Sequence, residues 1–278
     1  MTTWQLLRST WHGHPSVLLG CLALLLAYLA GLRRVGGGPM GWRMAAFAAG
    51  VAALLLALLS PLHALGDGYL FSAHMLQHLL LLQIVPPLLL LGLPPALIER
   101  LLRRAVLAAA ERALGQPLAA WLLGSGAVWA WHLPSLYNAA LASEPAHIAE
   151  HLCFLATATI FWWPVLAPGG WARLGTLPAL LYLFAAAASS SALGILLAAT
   201  PPGMYPAYLR PTDRLGILPL LRDGWGLTPA VDQQLGGLLM WIAGGLLYLG
   251  AMLGVLARWY GAEEDERLEI ARPEPRSL

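Results

Sequence analysis

Residues 73–93 read AHMLQHLLLLQIVPPLLLLGL, twenty-one residues without one Asp, Glu, Lys or Arg. At 1.5 Å per residue a helix of this length covers about 31 Å, the thickness of the hydrocarbon core of a bilayer. Two features separate it from a plain lipid-facing helix. Pro86 and Pro87 lack backbone donors, so the helix is expected to kink or break near its middle. The carbonyls they free must find partners on neighbouring helices, because lipid offers none. At the other end, His74 and His78 are four residues apart and therefore share one helix face.

Six further apolar runs surround this one: Ser16 to Leu32, Trp42 to Leu59, Pro117 to Leu133, His147 to Leu166, Leu177 to Ala199 and Gln234 to Ala257. Each falls within the roughly 17 to 25 residues that a spanning helix needs. The whole chain of 278 residues is 59% hydrophobic and 11% charged, with a mean hydropathy of +0.67. A soluble domain carries about 25% charged residues, so a water-soluble globule is excluded. The expected fold is all-α, a polytopic membrane bundle of seven transmembrane helices. Trp11, His12, Gly13, His14 and Pro15 interrupt any signal-peptide core before Ser16, so the first run is expected to be retained as a span.

Arginine placement orients the bundle, because basic residues near helix ends stay in the cytoplasm. With the N-terminus outside and the C-terminus cytoplasmic, twelve of the sixteen arginines face inward: Arg33, Arg34, Arg43, Arg100, Arg103, Arg104, Arg112, Arg173, Arg258, Arg267, Arg272 and Arg276. Only Arg8, Arg210, Arg214 and Arg222 face outward, the last three in a long loop with Asp213, Asp223 and Asp232. The stretch from Ala96 to Leu114 alternates leucines with charge and suits a helix lying on the inner membrane surface. Residues 1–260 thus form the spanning domain, and 261–278, rich in Glu and Pro, a mobile charged tail. A net charge of +2 gives no field for nucleic acid. Cys21 and Cys153 lie singly in apolar runs, which excludes a disulfide framework or a Cys-rich zinc site.

On this topology all eight histidines fall at the outer face: His12, His14, His63, His74, His78, His132, His147 and His151. A histidine in an apolar span is costly and marks function unless an interfacial partner explains it. His12 and His14 suit a polar interfacial terminus, and His63 is open to either reading. His147 and His151 repeat the spacing of His74 and His78, each pair offering two nitrogens on one face. With His132 ending another helix at the same depth, these five are the candidate metal ligands. Imidazole suits copper, zinc, iron or nickel, and a nearby thioether favours copper(I). Met75, Met204 and Met240 are more often packing residues. Cys153 stands about 200° around the helix from His151 and points away from the pair, while Cys21 would approach only if its helix packs there. Asp232 is open to two roles, capping its own helix or orienting a ligand histidine. Gly236 and Gly237 permit close helix approach, and Ser189 to Ser191 reads as small-residue packing.

His74-Met75-Leu76-Gln77-His78, Trp131-His132-Leu133-Pro134 with Tyr137-Asn138, His147 and His151 leading to Trp162-Trp163-Pro164, and Asp232-Gln233-Gln234-Leu235-Gly236-Gly237 through Trp241 together resemble the CtaG family of integral membrane cytochrome c oxidase assembly proteins. The resemblance runs from about the second span to the seventh. It implies a multi-pass protein of the bacterial plasma (inner) membrane that helps mature a haem-copper oxidase by supplying copper on the outer side. Its implied partners are oxidase subunits or copper chaperones on that side and the lipid bilayer, and a homodimer stays open. The histidines in the matching motifs are again His74, His78, His132, His147 and His151.

Three functions compete. A copper-binding metallochaperone needs ligands but no positioned nucleophile. A seven-span zinc-dependent membrane hydrolase would use the same histidines with Asp232, although five histidines exceed the usual three protein ligands of a catalytic zinc site. A b-type haem carrier would place axial histidines on two helices, which paired histidines at one depth fit poorly.

Overall fold

In a computed structural model, the described residues are 2–11, 13–36, 41–171 and 174–270, the last nine by backbone alone. His12, Arg173 and the end of the charged tail, 271–278, lie outside them. The described residues are mainly helical and contain no strand. Six helical stretches are long and apolar enough to cross a membrane: Pro15–Arg34, Gly41–Leu59, Phe71–Gly92, Glu144–Leu166, Thr176–Ala199 and Pro229–Gly261. The fourth expected span forms a helix of only 15 residues, Pro117–Trp131, shorter than the other six.

In chain order the helices are α1 (Thr3–Ser9), α2 (Pro15–Arg34), α3 (Gly41–Leu59), α4 (Pro61–Gly66), α5 (Phe71–Leu79), α6 (Val85–Gly92), α7 (Pro95–Leu102), α8 (Ala105–Leu114), α9 (Pro117–Trp131), α10 (Pro134–Ala142), α11 (Glu144–Leu166), α12 (Thr176–Ala199), α13 (Pro206–Leu209), α14 (Pro229–Leu238) and α15 (Gly244–Ile270). Proline opens many of them, where its missing N–H is one of the donors a helix start leaves unused anyway. Ser60 and Thr228 cap α4 and α14 by accepting from Leu62 N and Val231 N. The stretch expected as one surface helix, Ala96 to Leu114, is two: the chain turns at Arg103 and Arg104, where the backbone leaves helical geometry before α8.

The span Phe71–Gly92 is the central one, with 56% of its apolar stretch buried against 17% for α2. It does not break at its prolines. A π-helical turn, Leu80–Ile84, links α5 to α6, and the extra residue in that turn absorbs the proline geometry. The carbonyl four residues before Pro86 belongs to Leu82, and the indole of Trp162 on α11 donates to it at 2.9 Å. A neighbouring helix thus satisfies the group that the proline leaves free. α3, α4, α11 and α14 pack around this span. On the outer helices, rows of exposed leucines such as Leu18, Leu22, Leu26 and Leu29 on α2 turn outward, as lipid contact requires.

A second π-helical turn, Leu239–Ala243, joins α14 to α15. Here the backbones of α12 and α14 touch: a Cβ on Gly237 would lie 2.5 Å from Ala198 N and 2.6 Å from Gly194 O. Gly236 meets the Phe71 ring on α5, which stands where a Cβ would be. Both glycines therefore do what their sequence position suggested.

At the end of the bundle where α5 and α11 begin, the segment between α12 and α14 folds back over the core instead of looping free. Ile217 and Leu221 are fully buried against Leu6, Leu65, Leu70 and Ala73, and Tyr205 and Tyr208 enter among Phe71, Met75 and Tyr137. The opposite end carries Arg43, whose guanidinium donates to Leu91 O and Leu93 O at 3.2 and 2.9 Å. Arg258 donates to Val165 O at that end too.

Candidate metal centre

Two helices face each other across the site. α11 presents His147, Glu150 and His151, spaced i, i+3, i+4 on one face, and α5 presents His74 and His78. The rings of His74 and His78 are 4.2 Å apart and those of His147 and His151 4.3 Å. Between helices, His74 lies 5.3 Å from His147 and 6.3 Å from His151. One ligand atom from each of His74, His147, Glu150 and His151 falls within 4.8 Å of the others, and all four residues are buried. Glu150 Oε2 is 3.7 Å from His74 Nε2, and Oε1 is 3.7 Å from His78 Nε2.

Hydrogen bonds on the far sides of the rings decide which nitrogens face inward. Tyr208 Oη donates to Gly66 O at 2.7 Å, so its oxygen accepts from His74 Nδ1 at 2.8 Å. Burial pushes the Tyr208 phenol well above its ordinary pKa, so it keeps the proton it donates. His147 Nδ1 donates to the half-exposed Asp67 carboxylate at 3.1 Å. Burial alone would raise the Asp67 pKa, but the bond from His147 and the neighbouring rings outweigh it and hold the carboxyl below its usual range. In both rings Nδ1 carries the hydrogen, and the Nε2 lone pair turns into the site. A ligand histidine is normally oriented in this way, its outer nitrogen donating to a carboxylate or other acceptor.

The inward atoms have no hydrogen-bond partner. His74 Nε2, His147 Nε2, His151 Nε2, both nitrogens of His78 and both oxygens of Glu150 are buried and unsatisfied. One orphaned buried polar atom destabilises by about 1 to 3 kcal/mol, and more where it is charged. One such atom from each of His74, His147, Glu150 and His151 comes within 4.8 Å of the others, a set of lone pairs that a cation would satisfy together. Three imidazoles with one carboxylate suit a divalent ion such as Cu²⁺ or Zn²⁺.

The remaining histidines extend the group both ways. His63 on α4 lies 5.6 Å from His147 and 6.1 Å from His14, ring to ring. The Gln77 amide donates to His63 Nδ1 at 3.0 Å and to Ala57 O at 2.9 Å. Burial, and then the His147 ring, lower the His63 pKa to about 4, so its ring is neutral. On the inner side, His132 at the end of α9 lies 5.6 Å from His78. Its Nδ1 meets Val128 O at 2.6 Å and its Nε2 the Met75 sulfur at 3.4 Å.

Over residues 26–262 the chain matches the cytochrome c oxidase caa3 assembly factor family, Caa3_CtaG. It belongs to that family. An uncharacterised protein of Mycobacterium leprae is 26% identical over 275 residues, 91% of this chain and 40% of the relative. One of Mycobacterium bovis is 26% identical over 273 residues, 90% and 39%. The chain therefore spans about two fifths of the length of the curated relatives it matches. No solved structure matches it.

Within this family member the five predicted histidines all reach one region, but Asp232 takes neither role expected of it. Its Oδ2 accepts from Phe71 N at 2.8 Å, and its Oδ1 from Ser72 N and Ser72 Oγ at 3.1 and 2.5 Å. It caps α5, the helix that carries His74 and His78, and both of its oxygens are engaged there. The hydrolase reading that placed Asp232 among the ligands loses that ligand. Cys21 packs with Leu81 and Val85 in an apolar cluster. Glu150, Asp67 and Tyr208 were missed by the sequence reading. Glu150 had a signal, a carboxylate inside an apolar span and one turn after His147. Tyr208 had none, since 134 residues separate it from His74.

Proposed function

We propose that this chain binds copper at the histidine cluster on the outer side of the bacterial plasma membrane and assists its delivery to a haem-copper oxidase. The observation that carries this is Glu150, fully buried with neither oxygen hydrogen-bonded and imidazole nitrogens around it. Copper(II) binds such nitrogen and oxygen donors more tightly than other divalent first-row ions. The residues fit the ion, and its chemistry here is that of cargo held and released.

The histidines also form a file that supports transfer. Rings follow one another from exposed His14 through His63, His147 and His74 to His78 and His132, no step longer than 6.1 Å. The file begins on the side of Asp67 and ends in the interior. The arginine distribution supports seven spans, N-terminus out and C-terminus in, with α9 as the short fourth span. Oxidase subunits or copper chaperones would then meet the protein on the outer side.

The test is metal content. The full chain, purified in mild detergent and reconstituted, is expected to hold copper, and a His74→Ala, His147→Ala double variant to lose it. Zinc retained in place of copper would favour the hydrolase, and no metal in the wild type would overturn the proposal. Tyr208→Phe keeps the ring in its aromatic packing but removes the acceptor for His74 Nδ1. Copper affinity is expected to fall about 10- to 100-fold, the usual effect of removing such a partner, read by chelator competition.

A further inference from the structure

We infer that Met75, His132 and His78 form a second metal site, soft in character and selective for copper(I), separate from the group built on Glu150. The inference rests on the reading of this chain as a copper protein, and its test separates the two.

The argument begins at His132. Its Nδ1 lies 2.6 Å from Val128 O, and a carbonyl only accepts, so the ring hydrogen is on Nδ1. Nε2 of the neutral ring then presents a lone pair, and 3.4 Å away it meets Met75 Sδ. A thioether has no hydrogen to give. Two lone-pair donors thus face each other with no proton to share, where Met75 is 0% and His132 3% exposed. A cation bound by both atoms turns this contact from repulsive to attractive.

The third donor is at hand. Met75 and His78 are three residues apart on α5 and share a face. Neither ring nitrogen of His78 has a hydrogen bond, although Nε2 lies 3.7 Å from Glu150 Oε1, and the ring lies edge-on to His132, 5.6 Å between centres. A cavity of about 30 Å³ borders Met75, His78 and a second thioether residue, Met240, with His132 just outside its lining. That is space for one ion or one water. Two imidazoles and a thioether are a soft set that suits copper(I), whereas the carboxylate of Glu150 suits a harder divalent ion. The histidine file therefore passes from a hard site near the surface to a soft one inside.

The experiment loads metal-free protein in detergent with copper(I) under anaerobic conditions. It measures bound copper against a chromophoric copper(I) chelator and the ligand shell by X-ray absorption at the copper edge. The wild type is expected to show a copper–sulfur contact. Met75→Leu, close in volume and so mild for folding, should lose that contact and one copper(I) equivalent. A His147→Ala, Glu150→Gln variant should keep the sulfur-ligated ion. A wild-type shell of nitrogen and oxygen alone, or a sulfur contact that survives Met75→Leu, would overturn the second site while leaving the outer one standing. A wild type that binds no copper would overturn both.

Discussion

Glu150→Gln is expected to abolish the stabilisation that copper gives this protein while leaving the metal-free protein at least as stable as the wild type. Gln has the shape of Glu without its charge. In the metal-free wild type, both Glu150 oxygens are buried without a hydrogen bond, and a buried polar group left unsatisfied destabilises by about 1 to 3 kcal/mol. The Gln amide N–H can donate to the imidazole lone pair that faces it, where a carboxylate oxygen can only accept, which removes part of that penalty. With copper the balance reverses. An ion that binds only the folded state at one hundred times its dissociation constant stabilises by about 2.7 kcal/mol. Loss of an orienting partner already weakens a site by 10- to 100-fold, so loss of the anionic ligand should weaken it by at least about 100-fold. Thermal unfolding in detergent with and without copper reads both effects. Equal copper-induced shifts in the two proteins would remove Glu150 from the site.

Gly237→Ala should be the most disruptive single methyl group in the bundle, destabilising by about 3 kcal/mol, the upper end for overpacking a core. The added Cβ would meet backbone atoms, Ala198 N at 2.5 Å and Gly194 O at 2.6 Å, and backbone cannot rotate aside as a side chain can. α14 must move away from α12, and Asp232 on α14 moves with it, loosening the cap on α5 beneath His74. Copper affinity should fall together with the melting temperature. Gly245→Ala is the control, since nothing lies within 4 Å of its Cβ position. Replacing a helical glycine there should be neutral or stabilise by up to about 1 kcal/mol.

The helices and the histidine pairs were legible because each depends on periodicity within one segment. His74 with His78, and His147 with His151, share a face wherever their helices go, and the apolar runs must become helices because lipid satisfies no backbone group. The Pro86–Pro87 step was half legible. A disturbance was certain from the missing N–H groups, but whether it became a break or a π-helical turn depended on Trp162, 80 residues away.

By itself, then, the sequence determined a membrane-embedded all-helical bundle with five histidines able to meet, since hydropathy and i, i+4 spacing are local properties. Only the tertiary structure decided which lone pairs point inward. That choice is made by Asp67, Tyr208 and the Val128 carbonyl holding the outer nitrogens of His147, His74 and His132. It also moved Asp232 from ligand candidate to helix cap, and brought Met75 sulfur against His132. Each of these is a contact between separate parts of the fold or a choice of side-chain rotamer, and neither is fixed by the spacing of residues along one helix.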